Sequence, residues 1–428
     1  MSSDPYQFAL LDRASGVLLG QACGDALGVP YEFSWPPEGE AEMRGGGLGP
    51  YAPGEWSDDT QMAICIARVS ERGGGLRTAA ELDEIAAAFE DWFSGGASDV
   101  GTQTASVLRA AAHLSGSPSE RLTAASRALH EATGRTAGNG ALMRTGVVAL
   151  VALDDREATA RAATAVAQLT HADPLAAESC VLWSEAIRVA VTEARLDVRA
   201  GLDLLPAERR GPWEEWIADA EQEQPRADLR TNGFAVTALQ AAWHAIYLSP
   251  YFSPGVTTEY DRMVSHLSDA LHRAVRIGGD TDTVAAIAGA LLGARHGTQY
   301  IAPEWARAVH GWPGMRGIDM SRLGRLTAQR GLGTAPTEQT CPVCGVYGIP
   351  FSRYPNFVCR WCEAWVTDEN GRPVWLSNTS FSGGFDAHYA DGKPASELAR
   401  SGQVFISGQP FRAGEARFGG VVVEAVAG

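Results

Sequence analysis

Glycine recurs at every fourth position over Gly16, Gly20, Gly24 and Gly28, and again over Gly289, Gly293 and Gly297. In a helix that spacing lines the glycines along one stripe. Each glycine costs about 1 kcal/mol of helix propensity relative to alanine, so the stripes predict helices that approach backbone to backbone and recover the cost in packing. The surrounding text agrees. From about residue 8 to 331, Ala-rich amphipathic segments follow a helical apolar period, with Gly, Pro and Asp clusters between them and no run of alternating β-branched residues. A compact all-α domain over residues 1–331 is expected. The charged stretch from Asp203 to Arg230 reads as a surface excursion holding one amphipathic helix around Trp213 and Trp216.

The pattern changes after Arg330. Residues 332–340 form a Gly/Thr/Pro linker, and residues 341–428 carry hairpin-like turns at Asn370-Gly371, Ser382-Gly383-Gly384, Asp391-Gly392 and Ser407-Gly408. A second, β-rich unit is expected there. Cys341-Pro-Val-Cys344 and Cys359-Arg-Trp-Cys362 are two CxxC knuckles with 14 residues between them. This is the spacing of a four-thiolate structural zinc site, and one Zn²⁺ is expected. The remaining cysteines, Cys23, Cys65 and Cys180, are scattered through apolar segments, unlike a disulfide scaffold. The tail is rich in aromatics, among them Trp361, Trp375, Phe381 and Phe385, which so small a unit needs for its core.

Charge excludes some functions. A net charge of −16 argues against a general polyanion binder. No apolar run reaches the roughly 18 residues of a membrane span, and the N-terminus lacks the basic-then-apolar order of a secretory signal. The expected location is the cytoplasm, with no membrane partner.

Two carboxylate clusters carry the chemistry. Trp56-Ser57-Asp58-Asp59-Thr60 precedes the apolar run QMAICIARV, and Gly279-Asp280-Thr281-Asp282-Thr283 precedes VAAIAGALLGA, so each cluster sits at a helix start. Either one alone reads as helix capping, since first-turn acids favour the helix dipole. The pair reads differently, because both helices are nearly free of charge and must be buried. Lys393 is the only lysine, so none is at hand to neutralise four buried carboxylates. Divalent cations would do so, and a ligand set of oxygens from Ser57, Asp58, Asp59, Asp280, Asp282 and Thr283 suits Mg²⁺ or Mn²⁺. Four further features punctuate the Ala-rich text. Asp25 follows a glycine and reads as a helix-end hydrogen-bonding residue, while Glu32 ends the run GDALGVPYE. Asp99 in SDVGTQT fits an N-cap and a catalytic acid equally. Gly134 to Arg144 is a glycine-rich helix entry able to present backbone N–H groups to a phosphate, and His171 lies between helices in THADP.

In order, GVLLGQACGDALGVPYEF, PGEWSDDTQMA, GNGALMR, THADPLA, GFAVTALQAAW and IGGDTDTVAAIAGALLGA resemble the ADP-ribosylglycohydrolase family, including its dinitrogenase reductase-activating members, over about residues 8 to 311. The resemblance implies a compact all-α domain with two Mg²⁺ or Mn²⁺ ions in a central cleft, which removes ADP-ribose from a modified macromolecule. By motif, Ser57, Asp58 and Asp59 would form one metal group and Asp280, Asp282 and Thr283 the other. Most members have Thr where Ser57 stands; the hydroxyl is kept. Glu32 matches a flexible glutamate near the metals and Asp99 an aspartate beside the ribose, which makes the two the candidate acid and base. Thr136, Gly138 and Asn139 match the loop that holds ADP-ribose, and His171 a histidine that contacts it. The implied partner is an ADP-ribosylated protein, with ADP-ribosylated nucleic acid as another acceptor for a ribbon-bearing member. The competing reading is an inactive ADP-ribose-binding module that recruits partners through its zinc ribbon.

Overall fold

The computed structural model describes residues 5–250, 258–333, 339–344, 353–379, 383–389, 391–417 and 420–426. The chain divides into two compact units, residues 1–334 and 335–428. The first is helical. Its helices are α1 (Pro5–Gly28), α2 (Asp58–Ser70), α3 (Ala79–Ser94), α4 (Thr102–Ala111), α5 (Pro118–Thr133), α6 (Arg156–Gln168) and α7 (Pro174–Glu193). They continue with α8 (Ala207–Ala220), α9 (Ala235–Tyr247), α10 (Glu259–Ile277), α11 (Thr281–His296), α12 (Pro303–Ala308) and α13 (Gly317–Gly331). A two-residue hairpin, β1 (His310–Gly311) with β2 (Met315–Arg316), is too short to have left an alternating signature in the sequence. Among the described residues, no helix is long and apolar enough to cross a membrane.

The centre of this unit is the antiparallel pair α1 and α11. A Cβ placed on Gly16 would lie 2.2 Å from the Gly293 carbonyl oxygen, one on Gly20 2.3 Å from that of Gly289, and one on Gly24 2.0 Å from that of Ala285. The same holds in reverse, with a Cβ on Gly289 falling 2.1 Å from the oxygen of Gly20. The two glycine stripes therefore face each other in a four-residue register. At its end Gly28 abuts the backbone of Asp282, and Thr281 Oγ1 donates to the Gly28 carbonyl at 2.8 Å. α13 uses the same device against α1, where a Cβ on Gly324 would meet the Ala14 oxygen at 2.4 Å. Around this axis α7 and α9 supply apolar cover, and Trp183 donates from Nε1 to the Ile287 carbonyl at 3.1 Å.

The excursion after Asp203 contains the expected amphipathic helix, α8, which buries Trp213, Ile217 and Ala220 on one face. Trp213 is fully buried and donates from Nε1 to Glu178 at 2.7 Å, because an indole needs a partner once it leaves water.

The second unit is small and β-rich. β3 (Val374–Ser377) pairs antiparallel with β4 (Asp386–Tyr389), and β5 (Gln403–Ile406), β6 (Gln409–Glu415) and β7 (Val421–Ala425) form a three-stranded antiparallel meander. Short helices α14 (Arg360–Glu363) and α15 (Ser396–Ser401) complete it. The predicted turn at Ser407-Gly408 joins β5 to β6, with positive φ at both residues (50° and 77°), as a two-residue hairpin of the right twist requires. Of the predicted linker, residues 334–338 lie outside the described residues, as do Phe381 and Ser382.

Replacing Gly24 by Ala tests the helix register. Alanine would gain about 1 kcal/mol of propensity, but its methyl must displace a backbone carbonyl, so a net loss of about 2 kcal/mol is expected in urea unfolding. Gly211→Ala, on open surface in α8, should be neutral or stabilising. Equal stability of Gly24→Ala and the parent would remove the close-packing account.

Candidate active site

Three helix N-termini converge beside the α1–α11 contact. The α2 start brings Asp58 and Asp59, the α4 start follows Asp99, Val100 and Gly101, and the α11 start brings Asp280, Asp282 and Thr283. With Glu32, Gly138, Asn139 and His171 they line one cleft of about 360 Å³. Glu32 arrives directly from α1 through the short 3-10 turn Val29–Tyr31. The loop is pinned on its far side, since Phe33 N–H donates to the Gly279 carbonyl at 2.7 Å. Carboxylate oxygens of Glu32, Asp280 and Asp282 can all lie within 4.8 Å of one another.

The first cluster is built on Asp25. One of its oxygens accepts from the Ser57 N–H and hydroxyl, both at 2.8 Å, and the other accepts from the Thr60 N–H at 3.0 Å and hydroxyl at 2.6 Å. Asp25 thus caps α2 from another helix, as a hydrogen-bonding residue of the kind the sequence suggested, and leaves Asp58 and Asp59 free to face the cleft. The second cluster is held by amides. Asn139 donates from Nδ2 to Asp280 at 2.8 Å and to the Asn232 carbonyl at 2.9 Å. Asn232 accepts from the Asp280 N–H at 2.8 Å and donates to the Gly278 carbonyl at 2.9 Å. Both Gly278 and Gly279 have positive φ (80° and 78°), and a side chain on Gly279 would strike the Arg230 carbonyl. Only glycine turns α10 into the α11 start here.

Two sequence candidates are not among the residues that line the cleft. Ser57 is buried, and its hydroxyl is engaged by Asp25 and, at 3.2 Å, by Asp59. Thr136 turns its hydroxyl to His130 Nδ1 at 2.6 Å, while its carbonyl accepts from Gln103 Nε2 at 2.9 Å. Asn232 and Gln103 were not singled out from the sequence; only the turn-forming Asn232-Gly233 pair hinted at the first.

A model of the family described as ADP-ribosylglycohydrolase matches residues 7–334. The chain belongs to the ADP-ribosylglycohydrolase family. It is 30% identical over 313 residues to the ADP-ribosylarginine hydrolase Tri1 of Pseudomonas putida, covering 70% of this chain and 74% of that protein. To the ADP-ribosyl-[dinitrogen reductase] glycohydrolase of Rhodospirillum rubrum it is 27% identical over 307 residues, 69% of this chain and 89% of that one. A solved structure, an ADP-ribosylglycohydrolase-related protein complex, matches with a TM-score of 0.58 at 26% identity, covering 76% of this chain and 99% of its own.

In this family member the acids are electrostatically expensive. Burial, then the charges of Asp280, Asp99, Asp58 and Asp25, push Glu32 up to about 9. Burial raises Asp58, Asp59 and Asp282 well above the usual carboxylate range, with neighbouring acids adding to it. Burial raises Asp25 to about 6 in spite of its four hydrogen bonds, and it raises Asp99 as well. No Lys or Arg is among the described residues lining the cleft. Asp59 Oδ1 is buried with no hydrogen-bond partner. An orphaned carboxylate oxygen among raised acids with oxygen-only neighbours is the chemistry of a hard-cation site, and the residues fit one. His171 is the opposite case. Burial and then the Arg144 charge push its imidazole down to about 3, so it is neutral.

The second unit has its own metal-type cluster. The sulfurs of Cys341, Cys344, Cys359 and Cys362 can all lie within 4.8 Å of one another, and Cys344 and Cys359 sulfurs are 3.7 Å apart. That is far beyond a disulfide bond and close to the edge of a tetrahedron with roughly 2.3 Å metal–sulfur bonds. The cluster fits a zinc ribbon, and Cys359 N–H already donates to Cys341 sulfur at 3.3 Å.

The sign of the pH response follows from the raised acids. A carboxyl raised in the folded state contributes stability that is full below its unfolded value, near 4, and lost as pH rises through its folded value. Chelator-treated protein should therefore melt at a lower temperature at pH 8 than at pH 5, and Mg²⁺ or Mn²⁺ should restore it at pH 8. Asp58→Asn should raise the chelated protein's melting temperature at pH 8 while weakening the cation response. If Asp58→Asn instead lowers it, the acids are not in mutual repulsion.

Proposed function

We propose that this chain hydrolyses the N-glycosidic bond between ADP-ribose and an arginine guanidinium of a modified protein. The observation that carries the reading is the single cleft in which Asp58, Asp59, Asp280 and Asp282 meet Glu32 and Asp99. The names of its relatives in Pseudomonas putida and Rhodospirillum rubrum support the choice of arginine and of a protein acceptor. Asp58, Asp59, Asp280, Asp282 and Thr283, with Ser57 behind them, would hold two Mg²⁺ or Mn²⁺ ions, which supply orientation of the ribose hydroxyls and stabilisation of charge near the anomeric carbon.

The chain's own residues do the rest. Gly138 and Asn139 line the cleft at the start of the 3-10 turn Asn139–Ala141, beside the imidazole of His171, and receive the ADP-ribose. Thr136 acts from behind, tying that loop to His130 and Gln103. Hydrolysis needs one proton on the departing guanidine nitrogen and one removed from water. Glu32 and Asp99, which with Asp280 are the half-buried carboxyls of the cleft, are assigned that exchange. Glu32 stands on the long connection between α1 and α2, whereas Asp99 directly precedes α4. In the second unit, Cys341, Cys344, Cys359 and Cys362 are assigned one structural Zn²⁺, which closes that fold without entering the chemistry.

Release of ADP-ribose from arginine-, serine- and DNA-linked conjugates, with Mg²⁺ or Mn²⁺, tests the assignment. Arginine-linked substrate should be cleaved fastest. Asp282→Ala should lose more than about a hundredfold in rate, the upper range for mere outer-shell changes at a metal, while keeping the helical fold by circular dichroism. Normal turnover in Asp282→Ala would sink the metal-assisted reading, and preferential cleavage of the DNA conjugate would reassign the acceptor. Metal analysis should find one zinc per chain that resists mild dialysis and is lost in Cys359→Ser without loss of the α-helical signal.

A further inference from the structure

A buried cation stands behind the cleft with no carboxylate partner among the described residues. Arg144 is fully buried, its guanidinium 4.5 Å from the centre of the Phe89 ring, with Nη1 against Met62 sulfur at 3.3 Å. Its Nη2 donates to Thr170 Oγ1 at 2.6 Å, and Oγ1 lies 2.8 Å from His171 Nδ1. Arginine can only donate, so Thr170 Oγ1 spends a lone pair on it and retains its own proton to give. Among the described residues no third partner is recorded at Oγ1, which is buried, so the hydroxyl proton has one destination, His171 Nδ1. The other tautomer would bring three protons to one oxygen and strand the hydroxyl proton in the interior, at the full desolvation penalty.

On the opposite side of the ring, Nε2 would lie 3.4 Å from a Cβ on Gly138 and 3.3 Å from one on Gly140, both of which line the cleft. His171 is only 1% exposed, and among the described residues no hydrogen-bond partner is recorded at Nε2. Gln103 fixes the geometry from a third segment, donating from Nε2 to the carbonyls of Thr136 and Thr170.

We infer that Arg144 and Thr170 are positioning residues that hold His171 as its Nε2–H tautomer, so that a neutral imidazole donor is aimed through the gap left by Gly138 and Gly140 at an oxygen of the bound ADP-ribose. The relay joins two stretches of sequence, GNGALMR and THADP, through one threonine hydroxyl. A neutral donor suits this place. It binds an anionic or hydroxyl oxygen without adding a charge that would compete with the cations assigned to the acids. The inference rests on the proposed ADP-ribose cleft for the identity of the ligand, but the tautomer itself is a property of the ligand-free protein.

Long-range ¹H–¹⁵N spectra of histidine-labelled full-length protein read the tautomer directly, with the His171 signals assigned by their loss in His171→Asn. The wild type should show Nε2 protonated and Nδ1 as a hydrogen-bond acceptor. Thr170→Ser should keep that pattern. Thr170→Val should lose the single tautomer and weaken ADP-ribose binding about tenfold by calorimetry, roughly the worth of one hydrogen bond from a fixed donor. An Nδ1–H signal in the wild type overturns the inference, as does a Thr170→Val protein with unchanged tautomer and affinity. Should Thr170→Val fail to fold, the wild-type and Thr170→Ser spectra still decide the matter. If the wild type shows the stated tautomer yet does not bind ADP-ribose, the functional reading fails while the relay stands.

Discussion

The contact of α1 with α11, glycine against carbonyl, sets every other distance in the helical unit. With no side chain between Gly16, Gly20 and Gly24 and the opposing Gly293, Gly289 and Ala285, the helices can slide only by whole turns without a clash. That register places the end of α1 at the start of α11. Glu32, four residues beyond Gly28, is consequently delivered beside Asp280 and Asp282. A stripe of small residues that costs helix propensity is thus what brings two distant motifs into one cleft.

The cleft is a place where helix starts collect. The helix dipoles of α2, α4 and α11 lend partial positive charge at these starts, which favours carboxylates there. The dipoles do not suffice, because Glu32, Asp58, Asp59 and Asp282 all remain raised by burial and mutual repulsion. A site in that condition fits cations, and its frame stands without them. Its frame is made of neutral groups, Asn139 and Asn232 on one side, together with the single carboxylate Asp25 on the other. This division lets the frame keep its geometry while the facing acids change their charge state.

The second unit follows another physical plan. It has few residues from which to build a core, and its short strands gain their order from paired turns and from four buried cysteines. The same chain therefore combines close packing where helices are many with a cysteine cluster that fits a zinc ribbon where they are not.

Much of this was legible in the residues themselves. The helical period, the glycine stripes, the two CxxC knuckles and the acids at helix starts are local patterns, and local patterns survive in sequence because hydrogen bonds and helix dipoles act over a few residues. The resemblance carried by six motifs extended the reading to the cleft. What the sequence left open depends on contacts between residues far apart along the chain. Asp25 capping a helix that begins at Asp58, Asn232 orienting Asp280, and Thr136 turning its hydroxyl to His130 rather than to the cleft are decided by which backbones are brought together. Chain order is enough to say which segments are helices, which residues carry charge or sulfur, and that the charges must meet something. What meets what depends on the packed fold, because side-chain hydrogen bonds and buried charges take their strength from neighbours that packing, not chain order, supplies.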